Sequence, residues 1–366
     1  MTEEQPHFAD LRDHIRDELV PRIEQLRATH QTRSRIFYVS AVISTVVVLA
    51  ALGVGGYLFE ITEVTTLGFA IAVAVVLIYG AGLHGVFHLL FVRGVRREYV
   101  DDVVAPLVEQ LQPGVEYERD RPITDQQFES STIAQVPVVQ FECQESFRVD
   151  LDTTRVRFSE VEAIGRGRKE GESFARKRNC FALRGLFFIA RLSQPVRGTT
   201  VLFPTLRRFS NAEELPRLVD SGADHEPLVR PGANWPHVQW SPDAHDEPMA
   251  PVTVPDPEFH QLFDVYSTDV ASARGLLRTP VVQRLKEVHS AFGAGVQGIQ
   301  EMHTGGRDYF VLTARGEQLF VGRPSVRTFD EMRRFDVAQQ TQLLVQLAAD
   351  VRLSLELIEA LTSDPR

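Results

Sequence analysis

Two long apolar stretches near the N-terminus dominate the hydrophobic pattern of this chain. Residues 36–59 and 64–92 contain no Asp, Glu, Lys or Arg, and only an acidic tetrapeptide, Glu60-Ile-Thr-Glu63, separates them. At about 1.5 Å per residue, helices of these lengths would cross a hydrocarbon core of about 30 Å. The short connection allows only a tight turn between them. The pattern therefore predicts an antiparallel transmembrane hairpin over residues 36–92.

Basic residues flank this predicted hairpin on one side only. Arginines precede the first stretch and follow the second, whereas the connection carries two acids and no basic residue. The positive-inside rule then places both termini in the cytoplasm, so we expect a multi-pass protein of the cell (inner, cytoplasmic) membrane. The arginines concerned are Arg22, Arg27, Arg33, Arg35, Arg93, Arg96 and Arg97.

Helical periodicity continues on both sides of the hairpin. Apolar residues recur every three or four positions in a cytoplasmic amphipathic helix within 1–35, and again in a helical stalk that begins the segment 93–127 and leads into a polar linker. Pro21 and Pro106 lie at similar distances from the two spans, so an antiparallel pair would place them at one level, as a shared kink or the end of the stalk. Two separate helices on the membrane surface are the alternative.

Patterns typical of strands dominate the chain after residue 128. The predicted strands are rich in β-branched and aromatic residues, and turn signals such as Arg197-Gly198 separate them. Repeated prolines indicate a long irregular loop at 205–250. The predicted strands are 136–142, 147–151, 156–164, 180–192, 199–203, 296–302, 309–314 and 318–321, with a further short turn and strand at 259–266.

Helical signals accompany the last strands. Asp269 is a candidate N-cap for a helix that ends near Leu277, and Thr279-Pro280 is a strong start for a helix that ends near Phe292. A long amphipathic helix is expected at 335–361, covering one face of the sheet. Helices and antiparallel strands in separate parts of the sequence make residues 128–366 an α+β domain, which the hairpin would hold in the cytoplasm.

Charge and cysteine content restrict the partners. The formal net charge of −10 gives no general affinity for nucleic acid, and Cys143 and Cys180, which fit no metal-ligand spacing, are expected to be buried free thiols. One predicted connection between strands is basic, and near an anionic leaflet each Lys or Arg gains about 1 kcal/mol. It is a candidate membrane contact, with a solvated hairpin tip as the alternative. Its basic residues are Arg166, Arg168, Lys169, Arg176, Lys177 and Arg178.

Two histidines lie inside the second predicted span. His84 and His88 are four residues apart, so they share one helix face, and ionisable groups at membrane depth suggest metal ligands or proton carriers. A metal or haem site needs further ligands, which the first span lacks and a homo-oligomer could supply. Interhelical packing or an interfacial position is the alternative, and no cofactor is predicted.

A cluster of hydroxyls and a carboxylate at Tyr266-Ser-Thr-Asp269 suggests a catalytic site. Nucleophilic catalysis also needs a base and an oxyanion site, and no nucleophile-elbow or Ser-x-x-Lys motif accompanies these residues. Helix capping accounts for the same residues without catalysis.

Two segments give the chain a family resemblance. Residues 185–204 and 257–274, with a Phe263-x-Val265-Tyr266-Ser267-x-Asp269 core, resemble the bacterial membrane protein family known as domain of unknown function 3137. The resemblance implies two N-terminal spans, this domain and a C-terminal helix, and it implies no activity. We therefore expect a membrane-anchored cytoplasmic module that binds a protein or the membrane surface. The alternatives are an enzyme with a site near 266–269 and an intramembrane role of His84 and His88.

Overall fold

The chain forms two compact units in this computed structural model. One unit comprises Met1–Leu107 and Met332–Thr341, and the other comprises Val108–Glu331 and Gln342–Arg366. The structure describes residues 11, 13–62, 74, 82, 98–133, 138–143, 146–168, 177–204, 249–294, 310–324 and 337–363.

A long helix, α1 (Val20–Thr62), begins directly after a π-helical turn at Ile15–Leu19. A second π-helical turn, Val100–Val104, precedes helix α2 (Ala105–Leu111). Each turn closes with a backbone bond over five residues, from Val20 N–H to the Ile15 carbonyl and from Ala105 N–H to the Val100 carbonyl. In each case the residue whose N–H closes the turn directly precedes a proline, Pro21 or Pro106.

The prolines explain the two wide turns. A proline inside a helix has no N–H to donate, and its ring collides with the carbonyl four residues earlier; the wider π turn relieves that collision. For Pro106 this carbonyl belongs to Asp102, and it accepts a hydrogen bond from Arg22 Nη1 at 3.2 Å instead. Arg33 Nη1 lies 3.0 Å from Glu98 Oε1 on the same side. The segments before and after the predicted hairpin thus contact each other and run antiparallel.

The second unit contains an eight-stranded antiparallel sheet among the described residues. The strands follow the order β1-β3-β4-β5-β7-β6, with β2 paired to β4 and β8 paired to β5. They are β1 (Glu116–Glu118), β2 (Val138–Glu142), β3 (Ser146–Asp150), β4 (Arg155–Arg168), β5 (Lys177–Pro204), β6 (Ala250–Pro251), β7 (Phe263–Ser267) and β8 (Val311–Pro324).

Strand β5 is the centre of this sheet. Its first half pairs with β4 and its last five residues pair with β7, while β8 follows its other side from Gly185 to Leu202. The β5–β8 register shifts between Arg191 and Thr199, so the intervening residues form an irregularity in the ladder. One strand therefore organises both halves of the sheet.

The prediction of two strands at 180–192 and 199–203 was wrong, because β5 is continuous. Gly198 adopts a positive φ of 67°, which lets the ladder change register at the predicted turn without ending. The predicted strands 309–314 and 318–321 likewise join in β8, where Gly316 has φ 57°. At both positions, glycine marks an irregularity within one continuous strand rather than a turn between two strands.

Among the described residues, five further helices follow β1. The expected N-cap at Asp269 and the start at Thr279 are confirmed, and a capping box of Thr124 and Gln127 begins a helix that the sequence interpretation did not anticipate. The α+β class, the antiparallel sheet and the C-terminal helix are confirmed. The helices are α3 (Asp125–Ser130), α4 (Phe259–Leu262), α5 (Val270–Leu276), α6 (Thr279–Ala294) and α7 (Val337–Thr362).

The two faces of the sheet have different packing. On one face, four aromatic rings on adjacent strands stack in register, with centroids 5.1–5.2 Å apart: Tyr117, Phe147, Phe158 and Phe188. One side of α7 is buried from Leu343 onward, and Thr362 Oγ1 near its end lies 3.0 Å from Thr153 Oγ1 in the β3–β4 turn. On the other face, Phe128 of α3 packs in a second cluster with Leu183, Phe187 and Phe320.

Among the described residues, no helix combines the length and apolar character needed to cross a membrane. The predicted transmembrane hairpin is therefore not supported by the described part of the chain. Its first span, 36–59, lies within α1, and of its second span, 64–92, the structure describes only Ala74 and Gly82.

Candidate functional site

The hydroxyl cluster at the end of β7 has a structural role. Ser267 is fully buried, and its single hydroxyl proton is shared between the carbonyl oxygens of Thr199 and Asp269, which lie 3.2 and 3.0 Å from the hydroxyl oxygen. The same oxygen accepts the Asp269 N–H at 3.0 Å and lies 3.0 Å from Thr200 Oγ1. Through these hydrogen bonds, the Ser267 hydroxyl connects β5 to the segment between β7 and α5. A buried, multiply bonded hydroxyl is poorly placed to attack a substrate.

The neighbouring residues complete this junction. Asp269 Oδ1 accepts the Ser272 N–H at 2.9 Å and caps α5, as expected from the sequence. Thr268 Oγ1 accepts the Thr199 N–H at 2.9 Å, and Ser272 Oγ accepts the Arg197 N–H at 2.8 Å. The two segments that carry the family resemblance, 185–204 and 257–274, therefore meet here and lock the bulge of β5 to the start of α5.

Tyr266 extends the same junction to the other face of the sheet. Its ring stacks on Phe203 with centroids 5.8 Å apart and an interplanar angle of 4°. Burial raises the pKa of the Tyr266 phenol, and the negative charge of Asp264 raises it further. The phenol therefore stays protonated at neutral pH, which disfavours a role as a general base.

The predicted basic connection forms the end of the long β4–β5 hairpin. Backbone pairing extends to Arg166 with Asn179, Gly167 with Arg178, and Arg168 with Lys177. Four of the six predicted basic residues thus belong to paired strands rather than to a loop, while Lys169 and Arg176 lie outside the described residues. A paired ladder holds basic positions from both strands at one end of the sheet.

Other predicted sites fall partly or wholly outside the described residues. His84, His88 and nearly all of the irregular loop 205–250 belong to this group. Cys143 is a half-buried free thiol whose Sγ donates to Ser159 Oγ at 3.1 Å. In the part of the chain that the structure describes, no group of three or more His, Cys, Asp or Glu residues is arranged to hold a metal ion.

Helix α1 carries an exposed apolar surface. Six large apolar residues between positions 36 and 46 expose 57–70% of their surface, whereas Phe37, Ala41 and Ser44 are partly buried. Helical spacing places the exposed set on one broad side of α1. Soluble proteins rarely leave such a contiguous apolar surface open. The exposed residues are Ile36, Tyr38, Val39, Val42, Ile43 and Val46.

The sequence interpretation missed a buried ion pair between β8 and α7. Arg323 and Asp350 are almost completely buried, with side-chain exposures of 1% and 3%. Arg323 Nε and Nη2 both donate to Asp350 Oδ1, at 3.1 and 3.0 Å. The sequence carries one sign of this pair, since Asp350 interrupts the apolar stripe of α7 between Leu347 and Val351. The sign is recognised only once the packing of α7 is known.

Comparison with known proteins finds a family match for residues 182–362. No curated protein and no solved structure matches the chain significantly. Residues 182–362 match a family described as a protein of unknown function, DUF3137, so the resemblance of the β5 and β7 segments is confirmed. The matched region runs from the first part of β5 to the end of α7. The part of this chain that matches the DUF3137 family is therefore residues 182–362.

Proposed function

We propose that the protein is a membrane-anchored module whose α+β domain binds a partner at the cytoplasmic side of the cell membrane. The exposed apolar side of α1 carries this proposal: six large apolar side chains on three helical turns lie open, within a 36–59 stretch free of charged residues. Removing apolar surface from water is worth about 25 cal/mol per Å², and a bilayer supplies the apolar medium.

Contacts at the foot of α1 support an antiparallel pair of helices as the anchor. Arg22 bonds the Asp102 carbonyl and Arg33 bonds Glu98, so the chain that leaves along α1 returns beside it. The segment 64–92 would form the returning span, and the basic flanks would keep both termini in the cytoplasm. A binding role, rather than catalysis, fits the structural use of Ser267 and Asp269.

Fractionation of cells that express the full chain tests the anchor. The protein is expected in the membrane pellet and should resist extraction with alkaline carbonate. A triple variant Val39→Arg, Val42→Arg, Val46→Arg should move to the soluble or aggregated fraction, because each Arg costs up to about 3 kcal/mol within a membrane helix.

The matched control places the same three charges at exposed polar positions of α1, as Gln25→Arg, Gln31→Arg and Thr32→Arg. It should remain in the membrane. Recovery of the wild-type protein in the carbonate supernatant would exclude a spanning anchor. If both triple variants distribute equally between the membrane and soluble fractions, the apolar side of α1 does not hold the protein in the membrane.

We also propose that the basic end of the β4–β5 hairpin contacts anionic lipid. Its support is the paired set Arg166, Arg168, Lys177 and Arg178 in a protein of net charge −10. Hydrogen exchange of β4 and β5 amides, compared in neutral and phosphatidylserine-containing nanodiscs, should show slower exchange with anionic lipid.

The double variant Arg166→Gln/Arg178→Gln should lose most of that protection, since each basic residue contributes about 1 kcal/mol. The variant Arg274→Gln/Arg315→Gln, which removes two exposed charges elsewhere, should keep it. Protection that is the same in both lipids would contradict the contact.

A further inference from the structure

A groove of about 720 Å³ opens at the β3–β4 turn, beside the middle of β5 and β8 and next to α3. Its volume lies within the range of about 300–1,000 Å³ that is usual for small-molecule sites. Leu151, Ile189 and Ala190 give it an apolar floor, and polar side chains surround them. The polar residues are Gln127, Asp150, Asp152, Thr153, Thr154, Arg155, Arg157, Arg191, Glu317 and Gln318.

Two arginines lie side by side in the middle of this groove. The β4–β5 ladder ends at the pair Val156 and Ala190. Because the strands are antiparallel, the residue before Val156, which is Arg155, lies opposite the residue after Ala190, which is Arg191. The Thr154 hydroxyl fixes this arrangement, because it donates to the Arg191 carbonyl at 2.6 Å and accepts the Arg191 N–H at 3.2 Å. Like charges directly opposite on neighbouring strands repel, unless an opposite charge lies between or beside them.

Each arginine is held from outside by one carboxylate. Arg155 Nε bonds Asp150 Oδ1 at 2.6 Å, and Arg191 Nη2 bonds Glu317 Oε2 at 2.7 Å. Among the described residues, these bonds leave both terminal nitrogens of Arg155, and Nε and Nη1 of Arg191, without a partner. The four charged residues form a row across four strands, with carboxylates at its ends and two guanidinium groups at its centre.

The third arginine of the groove is used by the protein itself. Arg157 Nη2 donates to the Arg121 carbonyl at 2.7 Å, and its Nε lies 3.2 Å from Glu118 Oε2. It supports the wall of the groove, so the centre of ligand recognition is the pair Arg155 and Arg191.

We propose that this groove binds a small molecule through a phosphate or carboxylate group held between Arg155 and Arg191. Guanidinium groups bind both anions through paired N–H donors, and the acids at the ends of the row orient the two side chains for this contact. The apolar floor contacts the carbon skeleton of the ligand, and the Thr and Gln side chains bond its other polar groups. All residues of this groove belong to the second unit, so the proposal does not rest on the membrane anchor.

Titration of the purified full-length chain with inorganic phosphate and, separately, with citrate tests the site. Calorimetry at constant ionic strength, with sodium chloride as the reference, should show saturable binding of at least one anion. Tighter binding of phosphate identifies a phosphate ester as the ligand class, and tighter binding of citrate identifies a carboxylate. Binding no stronger than that of chloride overturns the proposal.

Substitutions assign the binding to the two arginines. Arg155→Gln and Arg191→Gln should each weaken it about ten-fold or more, because each removes charged hydrogen bonds. Arg155→Lys keeps the charge but not the fork, and should also weaken it. Arg284→Gln, which removes an ion-paired arginine of α6 outside the groove, should bind as the wild type does. Equal loss in Arg284→Gln, or none in the groove variants, contradicts the assignment.

Discussion

Arg323 on β8 and Asp350 on α7 form a buried ion pair, in which Arg323 Nε and Nη2 both donate to the same carboxylate oxygen of Asp350. Arg323 lies opposite Leu186 in the β5–β8 ladder, two residues from Val321, which lies opposite Phe188. Strand alternation therefore puts the pair on the face that carries the aromatic stack. The pair attaches α7 to the sheet at a defined position, which apolar contacts alone specify less sharply.

Removal of one partner of this pair should strongly destabilise the domain. Asp350→Ala leaves a buried guanidinium without its carboxylate, and Arg323→Met leaves a buried carboxylate without its guanidinium. Each variant should therefore lower the free energy of unfolding by about 3–5 kcal/mol. The double variant Arg323→Met/Asp350→Leu should recover most of the loss, because it leaves no buried charge. Urea unfolding followed by circular dichroism measures all three.

Arg284→Met is the control for this series. Arg284 forms partly exposed pairs with Glu287 at 3.0 Å and with Glu356 of α7, and each such pair contributes about 1 kcal/mol or less. If the two single variants at the buried pair lose no more stability than Arg284→Met, burial gives the Arg323–Asp350 pair no greater role in attaching α7 than the partly exposed Arg284–Glu356 pair has.

Gly198, in the bulge of β5, is a position where adding a single Cβ atom should destabilise the domain. A Cβ at Gly198 would lie 2.0 Å from Thr268 Oγ1, and the residue has a left-handed φ of 67°. Gly198→Ala should therefore combine backbone strain with a collision, and should cost more than the roughly 1–2 kcal/mol typical of strain alone.

Two other glycines separate these effects. Gly316 has φ 57°, and a Cβ added there would meet no atom within 4 Å, so Gly316→Ala should show the strain without the collision. Gly275 lies in α5 with equally open surroundings and no positive φ, so Gly275→Ala should be neutral or stabilise by about 0.5–1 kcal/mol. An order of destabilisation other than Gly198, Gly316, Gly275 in urea unfolding would refute this account.

The sequence predicted the element types well where one physical signal decided them. Alternating β-branched and aromatic residues located β3 and β4, and the cap at Asp269 located α5. Thr124 and Gln127 show that a usable signal was overlooked, because the capping box they form is a known start signal for a helix.

The pattern of residues along the chain did not predict which distant segments would lie next to each other. Whether Gly198 ends a strand or only shifts its register depends on β7 and β8, which lie more than 60 residues away along the chain. The groove arises from the same cause: Arg155 and Arg191 are neighbours only because β4 and β5 pair in one register. Arg323 and Asp350 would each be interpreted as surface residues until the packing of α7 on β8 is known.

Asp256 should make the domain sensitive to acid. Its Oδ1 accepts the Phe259 N–H at 3.0 Å at the start of α4, and its Oδ2 lies 3.1 Å from Lys286 Nζ of α6. The backbone hydrogen bond from Phe259, followed by the Lys286 ammonium, lowers the pKa of Asp256 below its ordinary value of 3.8. Because the folded-state pKa is the lower one, this carboxylate stabilises the domain above pH 3.8, and its contribution is lost as the pH falls through the folded-state pKa.

Urea unfolding at several pH values between about 5 and 2 measures this dependence. Asp256→Asn should flatten the acid side of the stability curve relative to the wild type. Lys286→Gln should retain the larger part of the effect, because the backbone hydrogen bond from Phe259 remains. Glu129→Gln removes an exposed carboxyl on α3 and serves as the matched control, with the same acid-side slope expected as in the wild type. A wild-type slope in Asp256→Asn would show that other carboxylates account for the loss of stability in acid.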